Sequence, residues 1–349
     1  MNPVIPVIFV VDTSSSALFT AAQSRAKLCG GIVVAANSFT SPRALLRFLE
    51  TNAPQVVLFA WRKALLDLTS NKRNSDTLRK IHTRTSIGTL IPDHLGLNSK
   101  FIEAELDTLA MSDFYMVTSE ILLSEYNDFS AQFPPYGLLH DLPDIELLKL
   151  VKTEKPKKRN QRLSVVWIGN SKWGERQGFS DHKGFQAIVI PLLEIVREHG
   201  NCMKITVVDS SAKKLAYRDV LELIRDADVL IQTSRSEGTG LPILEALALR
   251  TNVVTTSVGI VPEVFQEYPG RIALSNPISF HSVLHSLSKQ PELDYESLLQ
   301  RYVNTASRES IPLDQKRDLV FPNKIKFWGR VNVVLRWLYR YSRAFVKLG

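Results

Sequence analysis

Short apolar runs without internal alternation recur along the first part of the chain, at residues 4–11, 31–35, 55–61, 85–91 and 113–118. Helical patterns fill the gaps between them, at 18–28, 42–50 and 100–110. Unbroken apolar runs separated by helices predict a parallel sheet covered on both faces, so residues 1–151 read as an α/β domain. Residues 152–162 (KTEKPKKRNQR) hold six basic residues and one acid around a proline, with nothing apolar to anchor a core, and predict a linker. The alternation then resumes as strand 165–169, helix 184–199, strand 205–209, helix 213–227, strand 229–233, helix 242–249 and strand 253–256. Residues 163–320 therefore predict a second doubly wound α/β domain. The expected architecture is two such Rossmann-like domains facing across a cleft, with ligands at the carboxyl ends of the strands.

Composition narrows the class. At 349 residues, 44% hydrophobic and 22% charged, the chain is neither disordered nor a disulfide scaffold. Its two cysteines, Cys29 and Cys202, lie far apart and offer neither a zinc set nor a redox pair. The apolar run that opens the chain lacks a basic leader and stops at Asp12, so it reads as a strand. No apolar stretch reaches the ~20 residues of a membrane span. A soluble or peripheral, cytoplasmic protein is expected.

The net charge of +8 is concentrated in two places. Residues 321–349 carry seven basic residues and no acid, the linker carries a net +5, and the rest of the chain is left at −4. In helical register, Arg336, Arg340, Arg343 and Lys347 share one face while Val331, Val334, Leu335, Leu338 and Phe345 share the other. Such a basic amphipathic helix, with Trp328, Trp337, Tyr339 and Tyr341 among its residues, suits an anionic membrane surface; an apolar face packed on the first domain is the competing use. A nucleic-acid partner is not expected, because the domains themselves are not basic.

The segment 233–248 (TSRSEGTGLPILEALA) carries the chemistry. A buried strand ends at Thr233, and the loop Gly238–Thr239–Gly240 leads through Leu241 into a helix with Pro242 at its first position. Free amides backed by a helix dipole would hold a phosphate or diphosphate there. Glu237 and Glu245 flank that anion site, so both are expected to accept from hydroxyls instead, with Ser234 and Arg235 beside the ligand, or Arg235 on the surface. A nucleotide sugar, with its diphosphate between a ribose and a second sugar, meets these demands. Asp226-Ala227-Asp228 resembles a metal-binding DxD, but it sits at the opposite end of the sheet and reads as structural. Asp209, at a strand end, faces the ligand side or caps the next helix.

The Glu237–Glu245 spacing, with Gly238, Thr239, Gly240 and Leu241 between, resembles the signature of the retaining GT-B glycosyltransferases of family 4, the glycosyl transferases group 1. Lys183-Gly184 upstream and Gly259-Ile260-Val261-Pro262-Glu263 downstream resemble two further segments of that family, and together these cover about residues 163–268. The resemblance implies that Glu237 meets the donor sugar, the loop amides the sugar and phosphates, Glu245 the ribose, and Lys183 the diphosphate. It also implies that His94, after the strand 85–91, approaches the donor sugar, with Asp93 as the fallback. Glu263 is either a ligand contact or a helix cap. The chain departs from the family at Gly169-Asn170, where an arginine usually follows the glycine, leaving Lys172 or Arg176 to supply a second cation. It departs again at Asp12–Ser16, where a glycine-rich loop is usual.

The expected function is then a retaining, hexosyltransferase-type enzyme that needs no metal or other cofactor. It would use a nucleotide diphosphate sugar and a glycan or lipid-linked acceptor, in polysaccharide, lipopolysaccharide or glycolipid synthesis. A nucleotide-sugar epimerase, a sugar phosphorylase and a non-catalytic sugar-nucleotide-binding protein are the alternatives on the same fold.

Overall fold

The computed structural model describes residues 5–316, apart from 15, 61, 99, 131–132, 154–161, 176–177 and 200–202. Arg176, Cys202, the segment 321–349 and most of the 152–162 linker lie outside the described residues. The contacts divide the chain into two compact units.

In the first unit, six strands form one sheet: β1 (Val7–Val11), β2 (Ile32–Ala35), β3 (Val56–Phe59), β4 (Ser86–Ile91), β5 (Phe114–Val117) and β6 (Gly137–Leu138). Their order is β2-β1-β3-β4-β5-β6 and every pair is parallel. Strand β1 shows why its sequence carries no polar alternation. Ile8 and Val10 pack on the helices Pro42–Asn52, Arg62–Leu68 and Lys72–His82, while Val7, Phe9 and Val11 pack on the other face against Ala17–Cys29. Both faces are dry, so both need apolar side chains.

The second unit repeats the plan with β7 (Leu163–Gly169), β8 (Met203–Asp209), β9 (Val229–Gln232) and β10 (Asn252–Thr255) in the order β10-β9-β7-β8, again all parallel. Val166, Leu230 and Val253 meet the helices Tyr217–Asp226, Leu241–Ala248 and Tyr295–Arg308 on one face. Val165, Trp167, Val229, Ile231 and Val254 meet Ile190–Glu198 and Pro277–Ser286 on the other. In both sheets the second strand lies beside the first, and the third lies on the first strand's other side. Each sheet therefore has a switch point where consecutive crossovers leave in opposite directions.

The domain boundary expected at 152–162 is corrected. The chain passes into the second unit at Leu139–His140, and the helix Ile145–Thr153 packs there through Leu148 and Val151. The far boundary, expected at 320, also comes earlier. Ser310 and the following residues belong to the first unit, where Ile311 joins its core and Lys316 Nζ donates to the carbonyls of His82 and Thr85. Residues 119–121 go with the second unit. No helix of the described residues is long and apolar enough to cross a membrane.

His140 is the buried ionic centre of the second unit, 2% exposed. Its Nε2 meets Glu263 Oε2 at 2.6 Å, its Nδ1 meets Glu309 Oε1, and its backbone N–H donates to Glu309 Oε2 at 2.8 Å. Burial opposes the imidazolium, but the two carboxylates outweigh it and push the His140 pKa up to about 9. A pKa raised on folding stabilises fully below the unfolded value of about 6.5, and the contribution is lost as pH rises through about 9. The melting temperature should therefore fall by several degrees between pH 6.5 and 9.5, and His140→Gln should melt lower with a flatter pH dependence. Parallel profiles for the two proteins would contradict this.

Candidate functional site

The site is built from the two loops that leave β7 and β9 at the switch point of the second sheet. After β7, Ser171 donates through its N–H and Oγ to Asp209, and Ser211 does the same through its own N–H and hydroxyl. Asp209 thus ties the ends of β7 and β8 together, and these donors hold its carboxyl below the usual range against the penalty of burial. It does not cap the helix that follows, Tyr217–Asp226, which starts without a side-chain cap.

The chain then folds back over an aromatic group. Trp173 packs on His182 with ring centroids 4.3 Å apart and planes tilted by 39°, and Phe179 meets the same imidazole edge-on at 5.7 Å. Asp181 adopts φ 47 and accepts from the N–H groups of Gln186 and Ala187, closing the start of the following helix. This delivers Lys183 to the loop after β9, where three contacts lock the two loops together. Arg235 N–H donates to the His182 carbonyl at 2.9 Å, Thr233 Oγ1 donates to the Lys183 carbonyl at 2.6 Å, and Lys183 Nζ meets Glu237 Oε1 at 2.5 Å. Trp167 Nε1 donates to Thr233 Oγ1 from below at 3.0 Å, and Ser234 Oγ donates to Glu237 Oε1 at 2.6 Å. The Lys183 ammonium also lies 5.4 Å from the centroid of Trp173.

The electrostatics separate the two glutamates of the motif. Burial disfavours the charge on Glu237, but Lys183 and the Ser234 hydroxyl overcome it and hold the carboxyl below its usual range. Glu245 is 4% exposed, within the buried helix Leu241–Ala248, and accepts from Tyr217 Oη of the helix Tyr217–Asp226 at 2.6 Å. Burial pushes its pKa up to about 7, with the Tyr217 bond pulling the other way. It sits on the fifth residue of that helix and not in its opening turn, because the helix starts at Leu241 with Pro242 second.

That helix has no side-chain N-cap, as is also true of Ile102–Ala110, Ile190–Glu198 and Tyr217–Asp226, whereas Ser16, Ser41, Asn71, Asn276 and Asp294 each cap a helix. The one hydroxyl of its preceding loop is turned elsewhere: Thr239 Oγ1 donates to Asp141 Oδ2 at 2.7 Å. The amides at its start are left to other acceptors. No group of three or more His, Cys, Asp or Glu among the described residues is arranged to hold a metal. Asp228 of the DxD accepts from the Ser164 N–H at 2.8 Å, a structural link at the far end of the sheet.

Of the residues singled out in the sequence, Lys183, Ser234, Glu237, Gly238, Thr239, Gly240 and Leu241 come together here. Lys172 is exposed, and its N–H donates to Asn170 Oδ1; no described contact joins it to the Lys183–Glu237 pair. The Arg235 side chain is 57% exposed and 4.0 Å from Asp181, so only its backbone serves the site. Glu263 is committed to His140 and to the N–H of Glu120, the first residue of the helix Glu120–Phe129, so it serves that helix start and not the helix after Pro262. In the first unit, His94 Nδ1 pairs with Glu125 Oε2 at 2.6 Å, and Asp93 accepts from Arg62 at 2.8 Å. His182 and Trp173 were not anticipated, although the histidine adjoins Lys183. Asp141, 98 residues from Thr239, left no local signal.

Residues 211–301 match the family described as glycosyl transferases group 1. No curated protein sequence matches the chain significantly. Sucrose-phosphate synthase from Thermosynechococcus elongatus superposes over 97% of this chain and 99% of its own, at 11% identity and a TM-score of 0.59. Anabaena HepE in complex with UDP covers 87% of this chain and 100% of its own, at 12% identity and a TM-score of 0.50. S. aureus TarM covers 85% of this chain at 14% identity and a TM-score of 0.48, and the match spans 58% of the TarM chain. The fold is GT-B, with two Rossmann-like parallel-sheet domains.

Gly184 is the tightest point of the site. It has φ +66, and a Cβ there would lie 2.2 Å from the Thr233 carbonyl oxygen. Gly184→Ala should destabilise the protein by about 1–3 kcal/mol in urea unfolding, because backbone strain and the clash add. Lys172→Ala, on an exposed side chain, should change stability by less than about 0.5 kcal/mol. Equal effects of the two would show that the β7 and β9 loops are not held as described.

Proposed function

We propose that the protein is a retaining glycosyltransferase that moves a sugar from a nucleotide diphosphate donor to an acceptor hydroxyl. The observation that carries this reading is the Lys183–Glu237 pair, fixed at a sheet switch point beside an uncapped helix start. The match of residues 211–301 to group 1 glycosyltransferases and the GT-B fold support the same class.

In this reading the diphosphate lies against the amides at the start of Leu241–Ala248, with Lys183 beside it. As the bond from the sugar to the diphosphate breaks, negative charge grows on the leaving oxygen. Donors already aimed there need no reorganisation, so they lower the barrier more than they tighten ground-state binding. Glu237, held ionised, accepts from a hydroxyl of the transferred sugar and fixes its orientation. Glu245 serves the ribose. With no protein nucleophile assigned, the acceptor hydroxyl attacks from the face the diphosphate leaves, and the departing diphosphate takes its proton. Lys183 and the helix start meet the charge that a metal ion meets in other enzymes. The acceptor is a glycan or a lipid-linked sugar, and residues 321–349 bring the enzyme to an anionic membrane surface on the cytoplasmic side. His94 assists at the donor sugar.

The complex of HepE with UDP makes uridine donors the first to try. A binding donor should raise the melting temperature, since a ligand at 100 times its Kd adds about 2.7 kcal/mol. With that donor, Glu237→Ala should lower turnover by on the order of a hundredfold or more while nucleoside diphosphate still binds. Activity should persist in EDTA. Unaltered turnover in Glu237→Ala would refute the site, and a strict need for added Mg²⁺ or Mn²⁺ would refute the metal-free account.

A further inference from the structure

The loop Gly238–Thr239–Gly240 has one side chain with which to hold it, the Thr239 hydroxyl. Glycines on either side leave the backbone free to adopt many conformations, and fixing each such residue costs about 1–2 kcal/mol. A loop that must order itself on binding would pass that cost to the ligand. In the structure Thr239 is already held, by contacts remote in sequence from the motif.

Those contacts close a ring. Thr239 Oγ1 donates to Asp141 Oδ2 at 2.7 Å, and Asp141 is 6% exposed. The neighbouring His140 meets Glu263 Oε2 at 2.6 Å. Glu263 lies on the short turn Val261–Val264, and the residue before that turn, Ile260, donates its N–H back to the Thr239 carbonyl at 3.2 Å. Gly259, just upstream, packs so closely that a Cβ on it would lie 2.4 Å from the same carbonyl oxygen. The ring is braced from the helix Tyr295–Arg308 and its end. Tyr302 Oη donates to the Asp141 carbonyl at 2.9 Å, its ring meets His140 edge-on at 5.2 Å, and Glu309 accepts from the His140 N–H at 2.8 Å.

We infer that His140 and Asp141, where the chain passes from β6 into the second unit, are positioning residues for the anion-binding loop: they hold Thr239, and with it the amides of Gly238 to Leu241, in the ligand-ready conformation. The ligand class is the diphosphate of the nucleotide, so the inference rests on the function proposed above. Neither residue is placed on the reacting atoms. Their contribution is to remove an ordering cost that would otherwise weaken binding.

The test uses the full chain and isothermal titration with UDP, GDP and ADP, well below the melting temperature of every variant. Asp141→Ala should weaken binding of the preferred nucleotide about tenfold, the cost of ordering one loop residue. Asp141→Asn keeps an oxygen for the Thr239 hydroxyl and should stay within about twofold of the wild type. Thr239→Val leaves the carboxylate intact and breaks the same bond from the other end. It should match Asp141→Ala, and the double variant should be no weaker than either single one. A lowered melting temperature with unchanged affinity would make Asp141 merely structural and overturn the inference, as would additive losses in the double variant. A wild-type chain that binds none of the three nucleotides would overturn the proposed function, and the inference with it. Binding that every variant retains would overturn the inference alone.

Discussion

The adjacency of β7 and β9 is the constraint on which the second domain turns. Because β8 lies on one side of β7 and β9 on the other, the helix that follows β7 (Ile190–Glu198) and the helix that follows β8 (Tyr217–Asp226) cover opposite faces of the sheet. The carboxyl ends of these two central strands are left uncovered, and polar backbone concentrates there. A buried loop must satisfy its own amides and carbonyls. Here the two loops satisfy each other, through the Arg235 N–H to the His182 carbonyl and the Thr233 hydroxyl to the Lys183 carbonyl. The placement of Lys183 beside Glu237 follows from those bonds. Gly184 is required because the chains approach too closely for any side chain.

The same geometry gives the two motif glutamates different chemistry. Glu245 is buried and Glu237 partly so, and burial alone raises a carboxyl pKa. Glu237 has an ammonium and a hydroxyl on one oxygen and remains ionised, while Glu245 has a single phenol and moves towards neutrality. An ionised carboxylate accepts only. A carboxyl near its pKa at neutral pH can also donate, so Glu245 can pair with a hydroxyl in either sense.

What the sequence showed and what it concealed divide by range. Both sheets were legible because strands buried on two faces carry unbroken apolar runs, as in the fully buried Val7–Val11. The motif from Thr233 to Glu245 was legible because its residues are near neighbours in the chain and their spacing matches a helix start. Lys72–His82 was missed because only Asn74, Ser75, Leu78 and Ile81 of its eleven residues are buried, too faint an apolar stripe to read. The boundary was misplaced for a physical reason. A basic, proline-containing stretch looks like a linker, yet the apolar face of Ile145–Thr153 just before it had already joined the second core. The pairing of Glu263 with His140 was hidden because the two lie 123 residues apart and nothing local announces the pair.

The Lys183–Glu237 ion pair raises the question of whether it competes with an anionic ligand. A lysine ammonium has three donors, and one is engaged by Glu237 Oε1, so the pair need not break when a phosphate oxygen arrives. Removing the carboxylate would leave the ammonium only the face of Trp173, able to follow the anion instead of directing it. Keeping the carboxylate fixes the ammonium in one position, at some loss of attraction between lysine and phosphate. For ground-state affinity alone that arrangement is poor, since a negative charge stands beside the anion site. It becomes favourable where charge builds up on one oxygen during a reaction, because a fixed cation discriminates between the two states and a mobile one does not. The pair therefore argues for a catalytic site over a mere binding site, and it does so from the placement of two side chains.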